Sequence, residues 1–201
     1  MDESHFFTSA LSTAQFVSKQ KPNGSAFVIG DVGLVEALTE VGYTLNAADT
    51  PDYVIVGETD NDSQFNFSRL KQAVNHVMDG AFLIGTNLDA LDNAAQGYAP
   101  ACGALCAPIE VATGVKTYYC GKPNPMMMSA ALKKLRADKD RTILIGDRMD
   151  TDIVGGIESG IDTLLVFSGV CQRGDLAKYS YKPTFTLSGL FELIVQDGIV
   201  L

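Results

Sequence analysis

Short apolar runs separated by amphipathic stretches predict an α/β protein with parallel, helix-covered sheets. Three observations carry this reading. Apolar runs recur at residues 26–30, 51–57, 81–85 and 142–146, and each is closed by Gly. They are too short for helices and fit strands buried on both faces. Helical periodicity fills most of the intervals between them, and alternating strands and helices build parallel sheets. Of the 201 residues, 46% are hydrophobic and 19% charged, which fits one large or two small domains with a substantial core.

The elements follow in order. Residues 5–9 are a short apolar start and 10–19 a helix, with Thr8 or Ser9 as N-cap. Lys21-Pro22-Asn23-Gly24-Ser25 is a turn. The strand at 26–30 leads through Asp31-Val32-Gly33 into a helix over 34–41, stopped by Gly42. Asp31 reads as a helix-start acid rather than a metal ligand, since no second carboxylate follows at the spacing seen later. Residues 44–46 lead into a loop before the strand at 51–57. Asp60-Asn61-Asp62-Ser63 is a polar turn that lacks the later ligands and the Gly of a calcium loop. A helix over 67–78 puts Leu70, Val74 and Val77 on one face. The strand at 81–85 is followed by Thr86-Asn87-Leu88-Asp89 and a stretch to Pro100 with little pattern. Such a loop in a compact chain is more often functional than accidental. Small residues at 101–110 predict a closely packed helix, 116–120 a short strand and 126–136 a helix. After the strand at 142–146 come a helix over 152–159, a strand over 162–169, an extended piece over 181–187 and a last helix over 188–195.

Composition excludes several classes of partner. A net charge of -9 and a pI of about 4.6 argue against nucleic acid and anionic membranes. No apolar run approaches the ~20 residues of a membrane span. The start Met1-Asp2-Glu3-Ser4-His5 lacks the basic region and apolar core of a secretory signal, so a cytoplasmic location is expected. The four cysteines show no paired zinc spacing. Cys102 and Cys106 are placed to share a helix face, and all four read as buried thiols in a reducing compartment. His5 and His76 are too far apart in sequence to suggest a histidine metal site.

The chemistry concentrates in two stretches. In Thr142-Ile143-Leu144-Ile145-Gly146-Asp147, a buried parallel strand ends on a carboxylate, and ligands of open α/β sheets bind beyond such strand ends. Asp152 follows at the start of a helix. A hard cation such as Mg²⁺ suits these carboxylates, and a plain strand-to-helix turn with a helix-start acid suits them as well. The second stretch is Gly121-Lys122-Pro123-Asn124-Pro125, ahead of a helix. A lysine beside a helix N-terminus is poorly placed for helix stability and well placed to share a phosphate with it.

Together, Gly-Lys-Pro-x-Pro, a helix, and then strand-Gly-Asp-x-x-x-x-Asp resemble the third and fourth motifs of the haloacid dehalogenase (HAD) superfamily. The resemblance is greatest to its NagD-like and nitrophenylphosphatase-like phosphatases. Phe82-Leu83-Ile84-Gly85-Thr86-Asn87-x-Asp89, Pro100-Ala101-Cys102-Gly103-Ala104 and Val54-Ile55-Val56-Gly57 resemble segments of the cap domain of that group. The resemblance implies a Rossmann-type parallel core at 1–20 and 120–201 with an α/β cap inserted at 21–119. It implies hydrolysis of a small phosphorylated substrate with Mg²⁺ as cofactor. Lys122 would neutralise phosphate charge, Asp147 would bind Mg²⁺, and Asp152 would support the metal or Lys122. From their place at a strand end before the patternless loop, Asn87 and Asp89 are expected to face the crevice between cap and core and contact the substrate, with a simple Asx-type turn as the alternative.

The family's nucleophile lies in a first motif, Asp-x-Asp-Gly, at the end of a core strand, and no apolar strand here ends that way. Asp150-Thr151-Asp152 has the spacing but lies inside the fourth motif. The chain therefore reads as a NagD-like phosphatase without its N-terminal nucleophile segment, whether as a fragment, a mis-started frame or a natural remnant. It is expected to be inactive alone, with its core loosened or completed by a second copy in a homo-oligomer. The alternative is a non-catalytic module that binds phosphorylated ligands or a partner.

Overall fold

The computed structural model describes residues 2–94, 97–195, 198 and 199. It divides into two compact units, Met1–Gly121 and Lys122–Leu201. Among the described residues no helix is long and apolar enough to cross a membrane.

The first unit opens with α1, Ser9–Gln20, capped by the Thr8 hydroxyl, which accepts the Leu11 N–H at 3.2 Å. Next come β1, Ser25–Ile29, α2, Val32–Glu40, and the short β2, Thr44–Leu45. They are followed by β3, Tyr53–Val56, α3, Phe67–Met78, and β4, Phe82–Gly85. An antiparallel pair, β5, Leu91–Asn93, and β6, Tyr98–Pro100, leads to α4, Cys102–Thr113, and β7, Tyr118–Tyr119. Five parallel strands form one sheet in the order β2-β1-β3-β4-β7. The order reverses between β1 and β3, so right-handed crossovers put α2 on one face and α3 and α4 on the other. Phe27, Ile29, Val54 and Val56 pack with Ala73 and Val77 of α3 and with Leu105 and Ile109 of α4. Covered on both faces, β3 is buried at every residue.

The second unit holds α5, Pro125–Leu135, and β8, Ile143–Gly146. A π-helical turn, Met149–Ile153, runs on as α6, Val154–Ser159, followed by β9, Asp162–Val166, and β10, Phe185–Leu187. The parallel sheet has the order β10-β9-β8, and β8 is its edge among the described residues. Met149, Ile153, Leu165 and Cys171 form the buried cluster, walled by Phe167, Leu176, Tyr179 and Tyr181. A Cβ at Gly156 would overlap the Thr163 methyl, so that glycine lets α6 lie close against β9.

α1 packs on α2 and groups by contact with the first unit. The Tyr43 hydroxyl reaches the Val17 and Lys21 carbonyls at 2.7 and 2.8 Å, and Ser12 donates to the Cys120 carbonyl at 2.8 Å. Two expectations change. The stretch to Pro100 contains the β5–β6 pair, which its polar, weakly alternating residues do not announce; residues 95 and 96 lie outside the described ones. The last helix is a single 3-10 turn, Leu190–Leu193, followed by paired strands β11, Ile194–Val195, and β12, Gly198–Ile199. Gly189 and the β-branched Ile194 and Val195 leave too short a run to propagate an α-helix.

Candidate active site

Lys122, Asp147 and Asp152 come together at the C-terminal end of β8. The π-helical turn is the cause. The N–H groups of Asp152 and Ile153 both donate to the Arg148 carbonyl at 3.1 Å, and the wide turn swings Asp152 back beneath the loop it follows. Its Oδ2 accepts the backbone N–H groups of Asp147 and Arg148, each at 3.1 Å. Its Oδ1 accepts Lys122 Nζ at 2.8 Å. Asp152 is 4% exposed, so these donors are what make a buried carboxylate tolerable. Gly146 is needed for this return, since a Cβ there would overlap the Asp152 carboxylate.

Lys122 is presented from the other side. It precedes Pro123 through a cis peptide, and Asn124 caps α5 by accepting the Met126 N–H at 2.9 Å, with Pro125 in the first turn. The lysine side chain remains 40% exposed, so its ammonium reaches solvent while tied to Asp152.

Asp147 is held by the turn after β9. Its Oδ2 accepts the Val170 N–H at 2.8 Å and its main-chain carbonyl accepts the Cys171 N–H at 3.0 Å. A Cβ at Gly169 would overlap the Asp147 carboxylate. Sequence reasoning misses Gly146, Gly169 and Val170 as site residues; the only signal was glycine at the end of two apolar runs. Neighbouring Cys171 is no substitute nucleophile. Burial, then the charges of Asp175, Asp147 and Asp150, push its thiol above the usual range, which keeps it protonated.

Asn87 and Asp89 sit together in the first unit. Asn87 Nδ2 donates to Glu58 Oε1 at 2.9 Å, and its Oδ1 accepts the Asp89 N–H at 3.1 Å, an Asx-type turn. The Asp89 carbonyl accepts the Gly103 N–H at 2.8 Å, which hangs the loop on the first turn of α4. Cys102 and Cys106 are buried free thiols with their sulfurs 4.0 Å apart.

The donor set bears on a cation. Asp152, expected at a metal, spends both oxygens on Lys122 and on two backbone N–H groups. Asp147 Oδ1 takes no protein hydrogen bond among the described residues. No three His, Cys, Asp or Glu there converge into a cage. One free carboxylate oxygen fits a cation such as Mg²⁺, which keeps several waters and completes its shell with phosphate.

Comparison with known proteins identifies relatives of this chain. A family model described as "HAD-hyrolase-like" matches residues 119–193, the stretch that holds all three residues. The dihydroxyacetone phosphatase of Corynebacterium glutamicum (strain R) is 40% identical over 187 residues, covering 93% of this chain and 66% of the relative. The ribonucleotide monophosphatase NagD of Escherichia coli (strain K12) is 38% identical over 193 residues, covering 96% of this chain and 74% of the relative. The crystal structure of a double mutant thermostable NPPase from Geobacillus stearothermophilus superposes with a TM-score of 0.86 at 38% identity, covering 94% of this chain and 73% of that one. The chain thus spans about two thirds to three quarters of the length of these relatives, just under two thirds for the first. The chain belongs to the haloacid dehalogenase superfamily, in its group of NagD-like phosphatases.

Proposed function

We propose that Lys122, Asp147 and Asp152 are the phosphate- and cation-binding part of a phosphatase that acts on small phosphorylated molecules. One observation carries the reading: a single buried carboxylate, Asp152, holds both the lysine ammonium and the turn that begins with Asp147. Lys122 gives one of its three N–H donors to Asp152 and has the others for phosphate oxygens. Because the ammonium is pinned before substrate arrives, little reorganisation is needed as phosphate charge builds up. Asp147 Oδ1 would hold Mg²⁺, which when bound offsets phosphate charge that would otherwise repel an attacking anion. The relatives are named for dihydroxyacetone phosphate and ribonucleotide phosphatase activity, and a phosphate monoester of a small polar molecule is the class common to both.

Residues 21–119 are proposed as the cap. Asn87 and Asp89 are proposed to contact the non-phosphate part of the substrate, supported by their place beyond the carboxyl end of β4. The 201 residues contain no Asp-x-Asp-Gly, so the attacking carboxylate is assigned to a segment of that kind outside them. Such a carboxylate would attack the phosphorus and displace the substrate's alcohol, and water would then hydrolyse the resulting acyl phosphate to release phosphate.

The test is p-nitrophenyl phosphate hydrolysis with Mg²⁺. The 201-residue polypeptide alone should stay at background. Addition of a strand segment ending in Asp-x-Asp-Gly, fused or separate, should give turnover that Lys122→Ala and Asp147→Ala remove. Turnover by the polypeptide alone, lost in Asp147→Ala, would refute the assigned nucleophile. Phosphate binding that depends on Lys122, with no turnover in either case, would instead support a phospholigand-binding module.

A further inference from the structure

We infer that the first unit carries a second binding site, an aromatic cleft that takes a neutral, planar heteroaromatic ring of the purine class. The cleft follows from how the five-stranded sheet is covered. Leu83 packs on the α3 and α4 side of the sheet, so its neighbours Phe82 and Ile84 point to the opposite face. On that face α1 lies against α2 and reaches β7 through Phe16, whose ring stacks on Tyr118 with centroids 4.8 Å apart. Beyond that stack the face is open: Phe82 is 69% and Tyr118 44% exposed. Phe16, Tyr53, Phe82 and Tyr118, together with Gln20 and Lys116, line a cleft of about 280 Å³. Tyr53 and Phe82 are the first residues of β3 and β4, so the cleft lies at the amino end of the sheet, away from Asn87 beyond the carboxyl end of β4. The inference does not depend on the roles proposed for Lys122 and Asp147.

Size, shape and charge select the ligand. A cavity of about 150 Å³ holds one benzene, so this cleft has room for a fused ring pair and none for a peptide helix ~10 Å across. The Tyr53 and Phe82 rings lie 6.0 Å apart at 40°, a spacing and tilt at which aromatic faces attract a further planar ring. A saturated molecule of the same size gains only burial there. Lys116 is not a lone charge. Its ammonium meets Glu110 Oε2 at 3.2 Å, and Glu110 Oε1 accepts the Thr117 N–H at 2.8 Å. That N–H, ahead of Lys116, holds the Glu110 carboxyl below its usual range, so the pair stays ionised and balanced. A carboxylate ligand would meet Glu110 as well as Lys116 and gain little. A neutral ring with nitrogen acceptors can take another Lys116 N–H without opposing charge, and the Gln20 amide offers one donor group and one acceptor.

The experiment titrates the full chain with adenine and follows backbone amides by NMR, with benzoate as the charged comparator and cyclohexanol as the saturated one. Adenine should shift the amides of Phe82 and Tyr118 saturably, with a dissociation constant of about 1 mM or below. Both comparators should bind about tenfold more weakly or not at all. Phe82→Leu keeps apolar bulk and removes one ring, and adenine affinity should fall about tenfold, the scale of one lost ring stack. Amide shifts away from the cleft report whether that variant folds. Glu110→Gln leaves Lys116 unbalanced, so benzoate should gain on adenine. No saturable shift at the cleft in wild type, or cyclohexanol binding as well as adenine, would overturn the inference. So would an unchanged affinity in folded Phe82→Leu, or an unchanged preference for adenine over benzoate in Glu110→Gln. Shifts centred on Asn87 and Asp89 would put adenine at the proposed substrate loop and overturn it as well. Shifts at Phe82 and Tyr118 that grow with protein concentration, without adenine, would give the face to a second copy of the chain instead.

Discussion

Strands β4 and β8 differ in sequence at one position, Phe82-Leu83-Ile84-Gly85 against Ile143-Leu144-Ile145-Gly146, and have different fates. β4 lies between β3 and β7, and Leu83 and Ile84 are each 3% exposed. Among the described residues β8 has one neighbour, β9, and Ile145 is 41% exposed. An apolar run closed by Gly specifies a strand; what flanks it decides depth. The loops beyond them differ too. After β4, Asn87 closes the loop with Glu58, a neighbour beyond the next strand. After β8, the loop closes around a buried carboxylate and leaves a lysine and an aspartate oxygen facing outward chemistry.

The largest effect that could break this contrast is a pair of core truncations. Ile84→Ala should cost about 2–5 kcal/mol, because a fully buried isoleucine leaves a cavity, whereas Ile145→Ala should cost less than ~1 kcal/mol. Denaturant unfolding of the two variants checks this, and equal losses would show that β8 is as deeply packed as β4. Next in size, Asp152→Ala should destabilise the second unit by about 2–3 kcal/mol, since it strands two N–H groups and a lysine. Melting followed by probes in each unit should show the loss in the second and none in the first. Hydrogen exchange sharpens the contrast further. The amides of β8 should exchange faster than those of β4, because an edge strand leaves a row of backbone groups unpaired in its sheet. Equal and strong protection in a proven monomer would mean that the edge is covered.

The smallest effect concerns the first unit alone. Asp52 accepts from Lys21, from the Ser25 N–H at 2.8 Å and from the Ser25 hydroxyl at 3.0 Å, tying the end of α1 to the start of β1. The Lys21 hydrogen bond comes first among the causes that hold its carboxyl below the usual 3.8. A depressed folded value means the stabilisation is present above 3.8 and is lost as pH falls through that folded value. Asp52→Asn should remove this acid-side slope and cost about 1 kcal/mol at neutral pH, readable from melting temperature against pH. A wild-type slope kept in the variant would assign it to another carboxylate.

Local spacing carried much of the outcome. The turn and cap residues around Lys122, and the Gly-Asp-x-x-x-x-Asp run, placed the lysine at a helix start and one aspartate at a strand end. The helix over Phe67–Met78 appears with the bounds its periodicity predicts. These features depend on residues within a turn or two of each other, where backbone geometry leaves few choices. The π-helical turn is the exception among local features: a five-residue bulge has no distinct period, and its cause is a side chain that must return to its own loop.

What only the tertiary structure decided depends on distant partners. The Val170 N–H meets Asp147 across 23 positions in sequence, and Lys122 meets Asp152 across 30. Among the described residues the order of strands put β4 inside a sheet and β8 on an edge, although their residues are nearly the same. Helix α1 joined the unit whose helix α2 it could bury against, and nothing in its own pattern names that helix. Periodicity reports which face of an element is apolar. Which other element covers that face is fixed by the burial of both surfaces together, and that is a property of the folded whole.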